Sequence, residues 1–166
     1  NYFLARQYIV STLCPYYPVN DKYEKISIDD YIPVQKYHPH KRPNDLIHVG
    51  YLSPDLNKNA VSMFSFDILN SLDPKQFRVF VYYENAEQDK FSAILKENKE
   101  VTWVNTNGKD NKLLYRYIHD IHKIDILFNL LVFSRHLRQG LFAMRPAKYV
   151  INYLGYPGST YSAAYT

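Results

Sequence analysis

The chain has 166 residues, a length that accommodates one domain core and not two full domains. Its composition, 46% hydrophobic and 22% charged, is that of a packed globular protein and excludes disorder throughout. A net charge of +4 comes from 20 basic and 16 acidic residues, but the two signs are interspersed, which disfavours a nucleic-acid-binding face. The single cysteine excludes a disulfide-stapled scaffold, and no apolar run approaches the roughly 20 residues of a membrane helix, so we expect a soluble chain.

The first 44 residues are predicted to form a helix followed by a linker. Five of the nine prolines lie before residue 44, whereas all five glycines lie after residue 49. Residues 3–13 place apolar side chains on one side of a helix, which Pro15 would end. Residues 15–44 are typical of a linker with little regular structure. Within it, His38 and His40 would bind a metal only with ligands from elsewhere, and a plain loop is the favoured alternative.

Residues 45–166 alternate between short apolar runs and longer segments with helical periodicity. The runs are rich in β-branched and aromatic residues and predict five strands: Leu46–Leu52, Phe77–Tyr83, Val101–Val104, Ile124–Leu130 and Tyr149–Leu154. The helical segments predict four core-facing stripes: Val61, Phe64, Ile68 and Leu72; Phe91, Ile94 and Leu95; Leu113, Leu114, Tyr117, Ile118 and Ile121; and Leu137, Leu141 and Met144. Strand starts about 23 to 31 residues apart are typical of βαβ units. We therefore predict an α/β fold with a Rossmann-like parallel sheet.

The candidate functional site lies after the strands, because open parallel sheets bind ligands beyond the carboxyl ends of their strands. Four segments follow predicted strands and contain polar residues or glycine: Ser53–Asp55, Asn105–Gly108, Leu131–Arg135 and Gly155–Ser159. The first strand is not followed by G-x-G-x-x-G, and the chain has no G-x-x-x-x-G-K-[ST] motif. The sequence therefore gives little support to a dinucleotide site or a P-loop.

Three groups of residues near these segments would suit chemistry, each with a structural alternative. The loop Gly155–Ser159 would present backbone N–H groups to an anion, or would be a tight turn that leaves the sheet. Arg138 and Arg145, seven positions apart, would share a helix face and reach a phosphate or carboxylate, or would be surface arginines. His119 and His122 would supply a base near neutral pH, or would lie on an exposed helix.

Two motifs in this order carry a resemblance to a known family. The first is Val49–Asp55, with the sequence VGYLSPD, and the second joins Phe142–Ala147 (FAMRPA) to Leu154–Gly158 (LGYPG). Together they resemble the catalytic region of protein O-linked N-acetylglucosamine transferases and the related Spindly-type O-fucosyltransferases. The similarity continues between the motifs and covers about residues 45–160.

The resemblance implies one lobe of a two-lobed glycosyltransferase with the GT-B arrangement. Residues 45–166 would form most of the first lobe, truncated and inactive alone; tetratricopeptide repeats would precede it, and a second lobe of the same polypeptide would hold the nucleotide. Such enzymes are cytoplasmic and nuclear. They transfer N-acetylglucosamine from UDP-GlcNAc, or fucose from GDP-fucose, with inversion onto Ser or Thr of protein acceptors. We expect no metal and no cofactor besides the donor. The interspersed charges and the lack of a long apolar run predict no nucleic-acid or membrane partner.

The chain departs from the family at the position of a histidine proposed as catalytic, which is Asn59 here. A neutral amide does not accept a proton near pH 7, so the base is unknown, with His119 and His122 as candidates. The family's Gly-Tyr-Thr or Gly-His-Thr is replaced by residues 132–134 (VFS), and its Pro-x-Gln by residues 148–150 (KYV). The residues implied to line the acceptor and sugar side of the cleft are Ser134, Arg138, Gly155, Pro157, Gly158 and Ser159.

Three functions therefore remain open from the sequence. The chain would be part of an active glycosyltransferase with another base, which is the leading hypothesis. The replacement at Asn59 favours the second, a non-catalytic homologue that acts as a binding or scaffold module. The third, an unrelated single-domain nucleotide binder, would keep the fold and leave the motif matches unexplained.

Overall fold

The computed structural model describes residues 36–39, 46–54, 56–58, 60–84, 89–130, 138–154 and 165. In chain order, the elements within them are β1 (Ile47–Ser53), α1 (Ala60–Ser71), β2 (Phe77–Tyr83), α2 (Lys90–Leu95), β3 (Val101–Asn105), α3 (Asn111–Tyr115), which continues as a π-helical turn (Arg116–Ile121), β4 (Ile126–Asn129), α4 (Gln139–Ala143) and β5 (Tyr149–Asn152). All five predicted strands are confirmed, with bounds that differ by at most two residues. The helix predicted over residues 3–13 lies outside the described residues.

The five strands form one parallel sheet in the order β3-β2-β1-β4-β5, which confirms the predicted Rossmann-like α/β fold. The central strand β1 pairs with β2 and β4, and Gly50 lies opposite Phe80 on one side and Leu127 on the other. We call the edge where the strands end the carboxyl edge and the opposite one the amino edge. The strand order reverses direction between β1 and β4, so the carboxyl ends of these strands form the topological switch point.

Both faces of the sheet are covered, because successive strand residues point to opposite faces. On one face, helix α3, the π-helical turn and α4 cover the buried strand residues Leu52, Phe80, Tyr82, Leu127 and Val150. On the other face, α1 and α2 pack against Val49, Tyr51, Val79, Val81 and Val101. Burial on two faces explains why the strands were recognisable as nearly continuous apolar runs.

The π-helical turn after α3 changes which side chains reach the core. The predicted stripe included Ile121, but this side chain is 59% exposed, so that part of the prediction is wrong. The N–H of His122 donates to the carbonyl of Tyr117 at 2.8 Å, five residues back, and the wider turn shifts the helical register by one residue. His122 consequently takes the inward position and stacks on Phe80, with ring centroids 4.7 Å apart.

Three other members of the predicted stripes also face solvent, so the prediction is wrong for them too. Phe64 in α1, Ile94 in α2 and Leu113 in α3 are each at least 40% exposed. In α1 the buried positions include Ser65 and Leu69. The predicted stripe was built from apolar residues only and therefore left out serine. The small side chain of serine lets a helix approach a sheet closely, so the buried face of α1 differs from the predicted one.

Candidate functional site

Buried amide side chains lie at the carboxyl edge beside the switch point. Asn129, the last residue of β4, is 2% exposed, and its Nδ2 donates to the hydroxyl of Tyr165 at 2.9 Å. Asn152, the last residue of β5, lies opposite Asn129 in the parallel register. Its side-chain Oδ1 is buried and has no hydrogen-bond partner within the described part of the chain. Polar side chains thus lie at the carboxyl ends of β4 and β5, whereas the interior of the sheet is apolar.

Arg138 joins three connections at the carboxyl edge. Its Nε donates to Oε1 of Glu84, the residue after β2, at 2.7 Å, and Nη2 donates to the same oxygen. Its Nη1 donates to the carbonyl of Lys109, between β3 and α3, at 2.8 Å and to Oδ1 of Asn111, the first residue of α3, at 3.1 Å. The side chains of Glu84 and Arg138 are 4% and 17% exposed, so the ion pair is largely shielded from water. The sequence candidate Arg138 therefore lies at the carboxyl edge, and all three of its guanidinium nitrogens donate to protein groups.

Arg138 and Arg145 do not share a helix face, so that prediction is wrong. Helix α4 has only five residues, with Arg138 as its N-cap and Arg145 beyond its C-cap, Met144. As a crossover helix, α4 leads from the carboxyl end of β4 to the amino end of β5, so the two arginines lie toward opposite edges.

The backbone is strained within both parts of the second motif. Arg145 has a φ of 55° directly before Pro146, and Leu154, just beyond β5, has a φ of 67°. Non-glycine residues in this left-handed region cost on the order of 1–3 kcal/mol and are found where the surrounding structure fixes them, often at active sites. Leu154 lies at the carboxyl edge, whereas Arg145 and Lys123 (φ of 52°) precede β5 and β4 toward the amino edge, so this strain by itself singles out neither edge.

Several candidates from the sequence lie outside the described residues: Asn59, Ser134, Gly155, Pro157, Gly158 and Ser159. Conversely, the sequence analysis did not select Glu84, Asn129 or Asn152. These three share a recognisable signal, since each is a strongly polar residue at the end of an apolar strand: FRVFVYYE, ILFN and YVIN. A search for such strand-terminal polar residues would have found them.

The candidate base His122 lies in an aromatic cluster on the amino half of the sheet. His48, the second residue of β1, donates from Nδ1 to the carbonyl of His122 at 2.6 Å, because a carbonyl can only accept. Burial, together with the charges of Arg78 and His48, lowers the pKa of His122. Burial also raises the pKa of Tyr82, whose hydroxyl lies 2.8 Å from Nδ1 of His122. His122 is therefore held in place by ring packing and by its hydrogen bond with Tyr82.

The other candidate base, His119, links the π-helical turn to residues 36–39. Its Nε2 lies 2.7 Å from the carbonyl of His38, and its Nδ1 lies 2.8 Å from Oδ1 of Asp120. The ring of Tyr115 stacks on it at a centroid distance of 4.9 Å, and Tyr37 contacts it edge-on at 5.9 Å. Both ring nitrogens of His119 therefore lie within hydrogen-bond distance of a protein oxygen.

The described residues contain no group of three or more His, Cys, Asp or Glu that could hold a metal ion. Among the helices of that same portion, none is long and apolar enough to cross a membrane. The polar groups at the carboxyl edge are amides, a carboxylate and a guanidinium. The guanidinium and the carboxylate pair with each other, and the amides are suited to hydrogen bonding with a polar ligand.

Comparisons with known proteins identify the family. The profile of glycosyl transferase family 41 matches residues 19–166. The chain is 30% identical over 123 residues to the Arabidopsis thaliana protein named probable UDP-N-acetylglucosamine–peptide N-acetylglucosaminyltransferase SPINDLY, covering 72% of this chain and 13% of that protein. It is 24% identical over 129 residues to the Arabidopsis thaliana SEC protein of the same enzyme name, covering 78% of this chain and 13% of that protein. The chain thus spans about 13% of the length of these relatives.

A solved structure has the same fold. It is a mutant of the O-GlcNAc transferase of Thermobaculum terrenum, which matches with a TM-score of 0.72 at 21% identity and covers 99% of this chain and 28% of that chain. The parallel sheet is accordingly like a catalytic lobe of an O-GlcNAc transferase in the GT-B arrangement. Because the family profile covers most of the sequence, the chain belongs to glycosyl transferase family 41.

Proposed function

We propose that the chain is the amino-terminal lobe of a protein O-glycosyltransferase that moves N-acetylglucosamine from UDP-GlcNAc to serine or threonine side chains of proteins. GDP-fucose is the alternative donor. In the proposed reaction, the acceptor hydroxyl attacks the anomeric carbon with inversion, a base takes the hydroxyl proton, and the nucleoside diphosphate leaves. The proposal includes no metal and no cofactor besides the donor.

Family membership over residues 19–166 is the observation that carries this proposal. The names of the SPINDLY and SEC relatives specify UDP-N-acetylglucosamine and a peptide acceptor, which supports the choice of donor and acceptor. The sheet order supports the location, because the first motif ends at the switch point and the LGYPG motif begins beyond β5 at the same edge.

We assign the acceptor and sugar side of the proposed cleft to Ser134, Arg138, Gly155, Pro157, Gly158 and Ser159. The chain spans a small part of its relatives, so the proposal extends to the rest of the polypeptide. Tetratricopeptide repeats precede this lobe, a second lobe holds the nucleotide, and the enzyme acts on proteins in the cytoplasm and nucleus. Residues 1–166 alone are expected to lack transferase activity, because they lack the nucleotide-binding lobe.

A non-catalytic binding or scaffold module is the second candidate, and Asn59 is the observation that favours it. An amide at the position of the family's proposed catalytic histidine cannot take the proton from the acceptor hydroxyl. An active enzyme would therefore require a base from another position of the polypeptide.

The test uses the full-length protein with a peptide acceptor and radiolabelled donors. We expect label from UDP-GlcNAc, or from GDP-fucose in a parallel reaction, to appear on Ser or Thr of the peptide. Residues 1–166 alone serve as the control and should give no label. Donor binding by the full-length protein without transfer at any pH between about 5 and 9 would favour the scaffold function and refute the transferase.

A further inference from the structure

Arg138 makes more hydrogen bonds to the protein than a ligand-binding surface arginine would. Nε and Nη2 donate to the same carboxylate oxygen of Glu84, and Nη1 donates to the Lys109 carbonyl and to Oδ1 of Asn111. A guanidinium has five N–H donors in a rigid plane, so these bonds fix its position and leave little capacity for a substrate.

The residues in these contacts belong to different connections of the sheet. Arg138 ends the β4–α4 connection, Glu84 begins the β2–α2 connection, and Lys109 lies between β3 and α3. The backbone N–H of Glu84 also donates to the carbonyl of Ser53 at 3.3 Å, which ties the group to the end of β1. The buried ion pair and the hydrogen bonds of Arg138 to Lys109 and Asn111 together therefore span the carboxyl edge from β3 to β4.

The burial of Glu84 makes this pair costly to break. Its carboxylate is 4% exposed, and a buried charge that loses its partner is strongly destabilising because neither water nor another cation replaces that partner. A pair of this kind often contributes little net stability compared with an apolar pair, so its geometric effect matters more. Here that effect is to hold the three connections at fixed separations.

We propose that Glu84 and Arg138 are positioning residues of the transferase cleft. The inference rests on the proposed function and refines it: Arg138 shapes the acceptor and sugar side of the cleft through Glu84 and the β3–α3 connection, rather than by binding the anionic part of the donor. A displacement of about 1 Å in the segments that line the cleft is enough to slow the reaction of a bound substrate by up to about 100-fold. Neither residue has to touch the reacting atoms to have that effect.

A double-mutant cycle in the full-length protein tests this role against direct substrate binding. We expect Glu84→Gln and Arg138→Met each to lower kcat/KM by about 10- to 100-fold, and the double variant to be no more than about twofold worse than either single variant. Arg138→Lys keeps the charge but not the planar fork, so it should not restore activity. Arg116→Met and Glu97→Gln, two exposed positions outside the pair, are the matched controls and should retain activity.

Direct binding gives a different pattern. Arg138→Met would then raise the donor KM far more than Glu84→Gln does, and the two effects would multiply in the double variant. That result would overturn the positioning role.

Amide hydrogen exchange tests the same inference without activity. Each single variant of the pair should accelerate exchange in residues 106–114 and in residues 139–143 together, and leave residues 124–129 unchanged. Acceleration confined to one connection would refute the inference that the ion pair holds the connections together, even in a protein that transfers no sugar. Faster exchange in both segments without any transferase activity would support this role of the ion pair and would separately refute the proposed function.

Discussion

Gly50 in the central strand offers a sharp test of the packing described here. A Cβ added at this position would lie 3.0 Å from Cδ1 of Leu127, 3.1 Å from Cε2 of Tyr82 and 3.2 Å from Cγ2 of Ile124. All three neighbours are fully buried, so none can turn aside into solvent. Gly50→Ala should therefore overpack the core beneath α3 and α4.

The net cost follows from two opposing terms. Replacing glycine by alanine reduces the entropy of the unfolded chain and stabilises the fold by roughly 0.4–1 kcal/mol where the backbone permits it. Inserting a methyl group into a well-packed core costs about 1–3 kcal/mol. Because three buried neighbours would each have to move by a few tenths of an ångström, we expect a net loss of about 1–2 kcal/mol. With a urea m-value of about 2 kcal/mol/M, the unfolding midpoint falls by about 0.5–1 M.

Urea unfolding followed by circular dichroism and Trp103 fluorescence measures this shift. Adding Leu127→Val removes the atom nearest the new methyl group, so the double variant should lose less stability than the sum of the two single variants. Gly108→Asn is the control, because no heavy atom lies within 4 Å of a Cβ there and asparagine tolerates its φ of 72°. A midpoint for Gly50→Ala at or above that of the parent would refute the packing argument.

Three further predictions concern single side chains. Asp110→Ala removes the side-chain acceptor of the Leu113 N–H at the start of α3 and should cost about 0.5–2 kcal/mol in urea unfolding. Because the pKa of His122 is lowered in the folded protein, the unfolded chain binds more protons at this residue. The stability of the fold should therefore fall as the pH drops below about 6.5. His122→Gln should flatten this part of the plot of urea midpoint against pH. His119→Gln removes the ring that contacts the His38 carbonyl, Asp120 and Tyr37, and should accelerate tryptic cleavage after Lys36.

Each of these predictions has a matched control. Asp110→Ser keeps an acceptor at the N-cap and should retain most of the stability. His38→Gln changes an exposed ring but keeps the backbone carbonyl that His119 contacts, so it should affect neither the pH profile nor the cleavage rate. An unchanged pH profile in His122→Gln, or equal cleavage in His119→Gln and the parent, would contradict the roles assigned to the two histidines.

The fold was predictable because a parallel sheet covered on both faces requires apolar strands, and the runs at Phe77–Tyr83 and Val101–Asn105 are of this kind. The helix faces were less predictable for identifiable reasons. Ser65 is buried without being apolar, and the π-helical turn exchanges Ile121 for His122 at the core, which a fixed period of 3.6 residues cannot anticipate.

The site was predictable only as a location. Polar loops after parallel strands gather at one edge, which directed attention to the segments after β1, β3, β4 and β5. The ion pair between Glu84 and Arg138 joins residues 54 positions apart, and no spacing rule relates them. Such a pair is set by which connections the sheet order brings together, so it emerges only from the structure.

The two histidines and the candidate site lie at opposite edges of the sheet, and this bears on which residue could be the catalytic base. His119 and His122 both make hydrogen bonds and ring contacts near the amino edge, whereas the switch point and Leu154, the first residue of the LGYPG part of the second motif, lie at the carboxyl edge. A base must reach the acceptor hydroxyl within about 3 Å, so either ring would have to leave its packed position to act there. Asn59 cannot take the proton instead. If the full-length protein has the proposed transferase activity, its base therefore comes from another part of the polypeptide, which makes activity of the whole protein the decisive observation for this lobe.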